Sequence, residues 1–229
     1  MESSKPAEFE WGQGKTLARA AEILRSEGAR VLWYRVLGET VYRRMILFER
    51  RLDEPASATA GEGEISASLL QPGDIEEYVR FRSGPSQEEV QARIQQGQLC
   101  FLARWQGALG HAVWAATGSV RVAYLNCGIE LTGDEAYIYD SYTAPEFRRR
   151  GLTAARADAM LRYFRERSYV RVFSLVMPEN PGGIGSTLNA GYRRAGVIGR
   201  VEIGGWRRYF QRTAADVRPV VIRPSSPVS

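Results

Sequence analysis

The stretch Ala136-Tyr137-Ile138-Tyr139-Asp140-Ser141-Tyr142-Thr143-Ala144-Pro145-Glu146-Phe147-Arg148-Arg149-Arg150-Gly151-Leu152-Thr153 holds three signals in a row. An aromatic, strand-like run is followed by a short connector with a proline, and then by a basic turn. Beyond the turn, Leu152, Ala155, Ala159, Met160 and Tyr163 recur at helical spacing, so a helix opens at Leu152. A strand that passes through a basic, glycine-containing turn into a helix N-terminus is a cradle for an anion. Free backbone N–H groups point outward there and the helix dipole favours negative charge. Gly151 lets the main chain approach a ligand closely, and arginines add charge-assisted bonds suited to phosphate.

Working outward, the chain divides into three regions. Residues 16–27 and 31–52 read as two helices broken at Gly28. Residues 53–64 are small, acidic and glycine-containing and read as a flexible linker. From Ile65 to about residue 212 strands and helices alternate, and residues 213–229 read as a disordered tail. In the main region the expected order is a strand at 65–70, a helix at 73–81, and a second helix at 86–96 opened by the capping box Ser86-Gln-Glu-Glu89. Strands at 99–105 and 109–116 form a hairpin about Gln106-Gly107. A strand piece at 121–125 precedes the central strand at 135–142. After the helix from Leu152 come a strand at 170–177, a glycine-broken helix at 184–194, and a hairpin of 197–203 and 206–211 that turns at Gly204-Gly205.

Bulk properties are those of a soluble globular chain, with 44% hydrophobic and 25% charged residues. The net charge of +5 over 229 residues suits an anionic ligand, and also a nucleic acid or an acidic membrane. Cys100 and Cys127 lie in apolar stretches without ligand spacing, so buried thiols and no metal are expected. The start has no apolar core of a signal peptide, and no apolar run is long enough to span a bilayer. A cytoplasmic protein is the expectation.

The turn Arg148-Arg149-Arg150-Gly151-Leu152-Thr153 resembles the acyl-CoA-binding turn of the Gcn5-related N-acetyltransferases (GNAT). Its pattern is Arg or Gln, two residues, Gly, one residue, then Gly or Ala. Arg148 and Gly151 fall in place, and Thr153 departs from it. The order of elements over residues 65–212 is similar to the same family's fold, an α/β (α+β) mixed sheet, here with an N-terminal helical extension. A second family motif is an Asn at the end of the fifth strand with Gly-aromatic eleven positions on, matched by Asn180 and Gly191-Tyr192. The resemblance implies that residues 148–153 hold the pyrophosphate of acetyl-CoA, that Tyr142 and Thr143 meet the pantetheine and thioester, and that Asn180 meets the pantetheine arm. It implies transfer of acetyl from acetyl-CoA to a primary amine by direct attack. The acceptor, of unknown identity, would enter on the opposite side of the splayed sheet, by the early helices, the residues after Val120 and the final hairpin.

Catalytic groups are less defined. The family often has a Tyr seven residues after the Asn to protonate the leaving thiolate, but Thr187 stands there. The proton then comes from another donor, from water, or from no dedicated group, and Ser186, Tyr137, Tyr139 and Tyr142 are the candidate substitutes. For the base, Glu135 lies near where relatives place one, or is a surface residue after Gly133-Asp134. Asp140 is nearer the thioester, or pairs with an arginine, since an acid in an apolar strand needs a partner. His111, the only histidine, is a structural strand residue or a base.

Gly12-Gln-Gly-Lys-Thr16 is not a phosphate loop, because Phe9 stands where a Gly is required and no strand precedes it. Over residues 15–51, nine basic residues face four acids, interleaved with Leu32, Trp33, Val36, Met45 and Phe48. This segment is a cap on the main domain, or a basic surface for a peripheral membrane or protein contact. Two rival readings stand beside the acyltransferase: a non-catalytic CoA-binding or interaction module, and a nucleic-acid-binding protein. The second lacks any recognised motif, and no nucleic acid is expected.

Overall fold

The computed structural model describes residues 41–53 and 64–224. The chain divides into a larger unit, Arg44–Gly199 with Tyr209–Ser229, and a smaller one, Met1–Arg43 with Arg200–Arg208. In the smaller unit the described residues are mainly a hairpin tip. There the Glu202 N–H donates to the Val41 carbonyl at 2.8 Å, and the Glu202 carboxylate takes Arg200 and Arg207 at 3.1 and 2.8 Å.

The strands are β1 (Tyr42–Arg51), β2 (Ile65–Leu69), β3 (Leu99–Trp105), β4 (Ala108–Ala116), β5 (Val120–Val122), β6 (Cys127–Glu130), β7 (Glu135–Thr143), β8 (Arg171–Val176), β9 (Arg193–Ile203), β10 (Trp206–Thr213) and β11 (Val221–Pro224). The helices are α1 (Ile75–Arg82), α2 (Gln87–Gln95), α3 (Leu152–Arg165) and α4 (Pro181–Asn189). Eight strands form one mixed sheet in the order β10-β9-β1-β8-β7-β4-β3-β2, and β11-β6-β5 form a second.

The central strands are apolar on both faces because both are covered. Along β3, Phe101 packs under α3 with Val113 and Ala115. Its neighbours Cys100 and Leu102 turn to the other side, with Tyr78 of α1, Val90 of α2 and Trp114. The α3 helix buries Leu152, Arg156, Ala157, Met160, Leu161 and Phe164, a stripe at spacings of three and four. The small sheet covers the β1/β8/β9 half on the face away from α3, bringing Val122, Leu125, Cys127, Ile129, Val217 and Val220 against Leu47, Phe173 and Ile198.

Two pairings create an opening. The parallel pairing of β7 with β8 runs from Glu135↔Arg171 to Ile138↔Ser174. Strand β7 then continues to Thr143 against β4, where His111 faces Thr143. The sheet splays between β7 and β8 at that end, beside the turn into α3. Among the described residues, no helix is long and apolar enough to cross a membrane.

The fold corrects several expectations. Residues 42–51 are strand, where a helix through residue 52 was expected. The run Met45-Ile46-Leu47-Phe48 alternates between two cores, with Met45 and Leu47 facing the small sheet and Ile46 and Phe48 facing the α3 side. A continuous apolar run buried on both faces carries no period that separates strand from helix. Residues 16–27 and 31–40, and most of the linker, lie outside the described residues. The expected tail is ordered through Pro224, since Val217 and Val220 are buried and β11 pairs with β6, Ile222↔Ile129. The piece at 121–125 is a strand end and a 3-10 turn, with β6 as a further short strand. Helix α4 starts at Pro181 rather than late, since Asn180 caps it and Pro181 occupies the first helical position.

Candidate active site

The turn after β7 is built by packing at its base. Phe147 and Leu152 press on β4 at Gly110, where a Cβ would lie 2.7 Å from the Phe147 ring and 2.9 Å from Leu152 Cδ1. The Ala144 N–H donates to the Gly110 carbonyl at 3.1 Å, which fixes the start of the turn. Arg149 then takes φ 63° and Gly151 φ 79°. The second of these is the left-handed conformation glycine adopts without strain, and it stands at the N-cap of α3.

The result is a run of free donors. The N–H groups of Arg149, Arg150, Gly151, Leu152 and Thr153 have no backbone acceptor among the described residues. They lie at the positive end of a 14-residue helix, a position suited to an anion. Arg148 and Arg149 are exposed and make no ion pair among the described residues. The Arg150 guanidinium lies over Trp105 at 5.2 Å and Phe147 at 5.9 Å, so its stem is held across the hairpin tip. Leu152 is buried at 1% exposure and anchors the turn from below. Thr153 is partly buried in the first turn of α3.

Upstream, β7 carries a bulge. Its register against β4 shifts between Ala112↔Tyr142 and Trp114↔Tyr139, and Asp140 takes φ 50°. A bulge of this kind leaves a backbone N–H out of the ladder. The Asp140 carboxylate is clamped from two helices. Arg82 at the end of α1 donates to Oδ1 at 2.6 Å and Arg93 of α2 donates to Oδ2 at 2.9 Å. The Arg82 guanidinium also lies 4.5 Å over the Tyr142 ring, and Phe81 meets that ring edge-on at 5.2 Å. Both Asp140 oxygens are thus engaged, which is the arginine pairing weighed as an alternative to a base.

Glu135 is neither a surface residue nor near the bulge. It stands five residues back along β7, about 16 Å at the rise of a strand, and is 2% exposed. Arg171 Nε donates to its Oε1 at 2.7 Å, Arg218 Nη1 reaches the same oxygen at 3.3 Å, and the Thr132 N–H donates to Oε2 at 3.2 Å. Its carboxylate belongs to a buried ion-pair network that includes Glu49.

Asn180 stands beyond β8, across the opening. Its Oδ1 accepts from the Gly183 N–H at 2.9 Å, so this exposed residue caps α4 and its amide N–H groups are not used in the cap. Thr187 donates its hydroxyl to the Gly183 carbonyl at 2.8 Å and has no proton to offer a thiolate. Of the tyrosines, Tyr137 is raised by burial, and Tyr139 is pushed up to about 12 by burial and donates to Gln98. Neither is a ready acid.

One connected set escaped the sequence reading. His111, fully buried, lies with Nδ1 2.7 Å from Thr143 Oγ1, and Arg156 Nε donates to His111 Nε2 at 3.1 Å. The available signal was Arg156 itself, four residues after Leu152 and four before Met160 on the apolar stripe of α3.

The acetyltransferase (GNAT) family model matches residues 75–188, from α1 to α4. Among solved structures, a GCN5-related N-acetyltransferase from Sphaerobacter thermophilus is 17% identical with a TM-score of 0.51, over 73% of this chain and 54% of its own. A GCN5-related N-acetyltransferase from Kribbella flavida is 16% identical with a TM-score of 0.51, over 78% of this chain and 65% of its own. At these identities the likeness is one of fold. A comparison with curated proteins gave no match. The turn, the bulge and the splayed strands thus lie in an acetyltransferase domain of the GNAT family, which this chain carries at residues 75–188.

Proposed function

We propose that this domain is an acyl-CoA-dependent N-acyltransferase that moves acetyl from acetyl-CoA to a primary amine by direct attack. The observation that carries the reading is the run of five N–H groups at residues 149–153 without a backbone acceptor among the described residues, beside the exposed side chains of Arg148 and Arg149. Such a run fits a pyrophosphate, with charge-assisted bonds from the two arginines. From there a pantetheine arm reaches back along Thr143 and Tyr142 to the bulge at Asp140, with Asn180 on the far side. A backbone N–H freed by the bulge suits the oxyanion that develops on the thioester carbonyl.

In this reading Asp140 holds the bulge in place through Arg82 and Arg93 and does not take the amine proton. Glu135 has no catalytic part. The amine attacks as the neutral form, the CoA thiolate leaves, and the proton passes to solvent. The functional unit runs from β1 to β11, because both complete the sheets that carry the site.

Titration of acetyl-CoA by calorimetry tests the proposal. The wild type binds in the micromolar range, and Gly151→Asp weakens binding by at least fiftyfold, because a carboxylate then enters the anion turn on a backbone suited to glycine. Turnover is next read as free thiol released in a screen of primary amines. Absence of acetyl-CoA binding by the wild type overturns the proposal. Binding without turnover for any amine favours the non-catalytic CoA-binding reading, which the commitment of the Thr187 hydroxyl to its own helix also supports.

A further inference from the structure

Strand β9 breaks its own alternation. Ala195 and Ile198 both face the core beneath the small sheet although they are three residues apart, so an extra residue sits at Gly196-Val197, a bulge. The chain leaving β10 closes on it: the Ala214 N–H donates to the Ala195 carbonyl at 3.0 Å, and a Cβ on Gly196 would lie 2.2 Å from the Arg212 carbonyl oxygen. Beside the bulge, bordered by β1 and the residues just past β8, is a pocket of about 480 Å³. Ile46, Pro178, Val197 and Ala214 line it, together with Arg44 and Arg194. Every one of these residues belongs to the larger unit, and all but Pro178 lie outside the residues matched by the family model.

The lining has the two properties of a small-molecule site, an apolar surface and a few polar groups that fix orientation. Its polar side chains are of one sign. No acid lines the pocket, and Arg44 and Arg194 are exposed and make no ion pair or hydrogen bond among the described residues. Other arginines of the same two strands are engaged: Arg50 donates to the Ala190 carbonyl, Arg193 pairs with Glu49 and Asp216, and Arg200 pairs with Glu202. Two cations on one apolar pocket repel each other, and an anion there gains charge-assisted bonds from both. We propose that the pocket binds a small organic anion, a carboxylate or phosphate on an apolar body, with its headgroup on Arg44 and Arg194 and its body on Ile46 and Val197. The anion turn at residues 148–153 is a separate site. It joins β7 to α3, whereas the pocket lies on β1 and β9, with β8 between. The inference is independent of the acyl-CoA reading.

The test follows methyl carbon-13 spectra of the full chain during titration with octanoate, octyl phosphate and neutral octanol. Octanoate is expected to move the Ile46 and Val197 methyl signals with a dissociation constant of about 1 mM, the order suited to a ligand of roughly ten heavy atoms. Octanol binds at least roughly fivefold more weakly, for want of the charged headgroup. Octyl phosphate set against octanoate tells which headgroup the two guanidiniums prefer. Arg44→Gln combined with Arg194→Gln weakens octanoate about tenfold, the loss of two partly screened charge contacts. Ala214→Phe, at an exposed position, fills the pocket and abolishes octanoate binding while the thermal unfolding midpoint stays unchanged. 3′-Phospho-ADP, the nucleotide half of coenzyme A without the pantetheine arm, serves as a competitor for the anion turn and leaves octanoate binding as it was. Absence of octanoate binding by the wild type overturns the inference, as does equal affinity for octanol. Undiminished affinity in the arginine double variant or in Ala214→Phe overturns it as well. Displacement of octanoate by 3′-phospho-ADP also overturns it, since the headgroup then sits in the turn.

Discussion

Tyr192 carries its hydroxyl into the core beneath α3, where residue exposure is 6% and the neighbours include Phe48, Phe164 and Ala190. Among the described residues that hydroxyl has no hydrogen-bond partner, and burial pushes its pKa up to about 12. A buried polar group left unpaired subtracts from stability. Tyr192→Phe is therefore expected to be neutral or to stabilise by about 1 kcal/mol, read from urea unfolding midpoints. A clear loss of stability would reveal a bound water or ligand on the hydroxyl. The spacing from Asn180 to Gly191-Tyr192 was legible because short-range geometry sets it: Asn180 opens α4, and Arg50 donates to the Ala190 carbonyl where α4 ends. The identity of Arg50 was not legible, since it comes from β1, 140 residues away. The same holds for Asp140. Its need for a partner follows from an acid in an apolar strand, but Arg82 and Arg93 lie 58 and 47 residues off, on two different helices. The surface alternative for Glu135 fails because the parallel register Glu135↔Arg171 brings a buried arginine to it, although Gly133-Asp134 looks like a surface turn.

At the level of elements, the bulge in β7 depends on α1 and α2 through one carboxylate. Asp140→Asn removes the charge that holds Arg82 and Arg93, whose side chains are 20% and 34% exposed. Partial exposure tempers the cost to about 1–2 kcal/mol. Turnover on any accepted amine should fall at least tenfold, because the N–H at the bulge loses its fixed position, while 3′-phospho-ADP binding at the turn persists. Thermal unfolding, steady-state rates and calorimetry on one preparation check all three, and undiminished turnover would exclude a role for the clamp. Most elements of the main region were legible. Alternation and the Gln106-Gly107 turn locate β3 and β4, and the capping box at Ser86 is present, with Ser86 Oγ accepting from Glu89 at 3.2 Å. The failures have a common cause in tertiary context. Strand β1 has apolar residues on both faces and so no diagnostic period, and β11 is a four-residue strand that follows Pro219 and ends at Pro224, whose order comes with its pairing to β6.

For the whole molecule, the buried ion pairs tie distant strands together. Arg171 of β8 donates to Glu49 of β1 at 3.0 Å and to Glu135 of β7 at 2.7 Å, and all three residues are at most 4% exposed. Arg171→Met leaves two carboxylates buried, with Arg193 and Arg218 as the arginines still paired to them among the described residues, at 3.2 and 3.3 Å. Breaking such a set from one side is expected to cost about 3 kcal/mol, read from denaturant unfolding. A triple change to apolar residues at Glu49, Glu135 and Arg171 should recover most of that loss. An Arg171→Met protein as stable as the wild type would mean that the carboxylates take up protons or water instead.

The place of β1 between β9 and β8 also governs how the chain can assemble as it is made. Phe48 finds its partner Ser174 on a strand synthesised far later, and the Glu49–Arg171 bond spans 122 residues. At roughly 5–20 residues per second of synthesis, β1 waits about 6 to 24 seconds before its partner exists. Through that interval its apolar run has unpaired edges, the kind of segment that recruits other chains. The sheet therefore closes late around β1, and closure across so long a separation is slow. A nascent chain halted before Arg171 has no place to put β1.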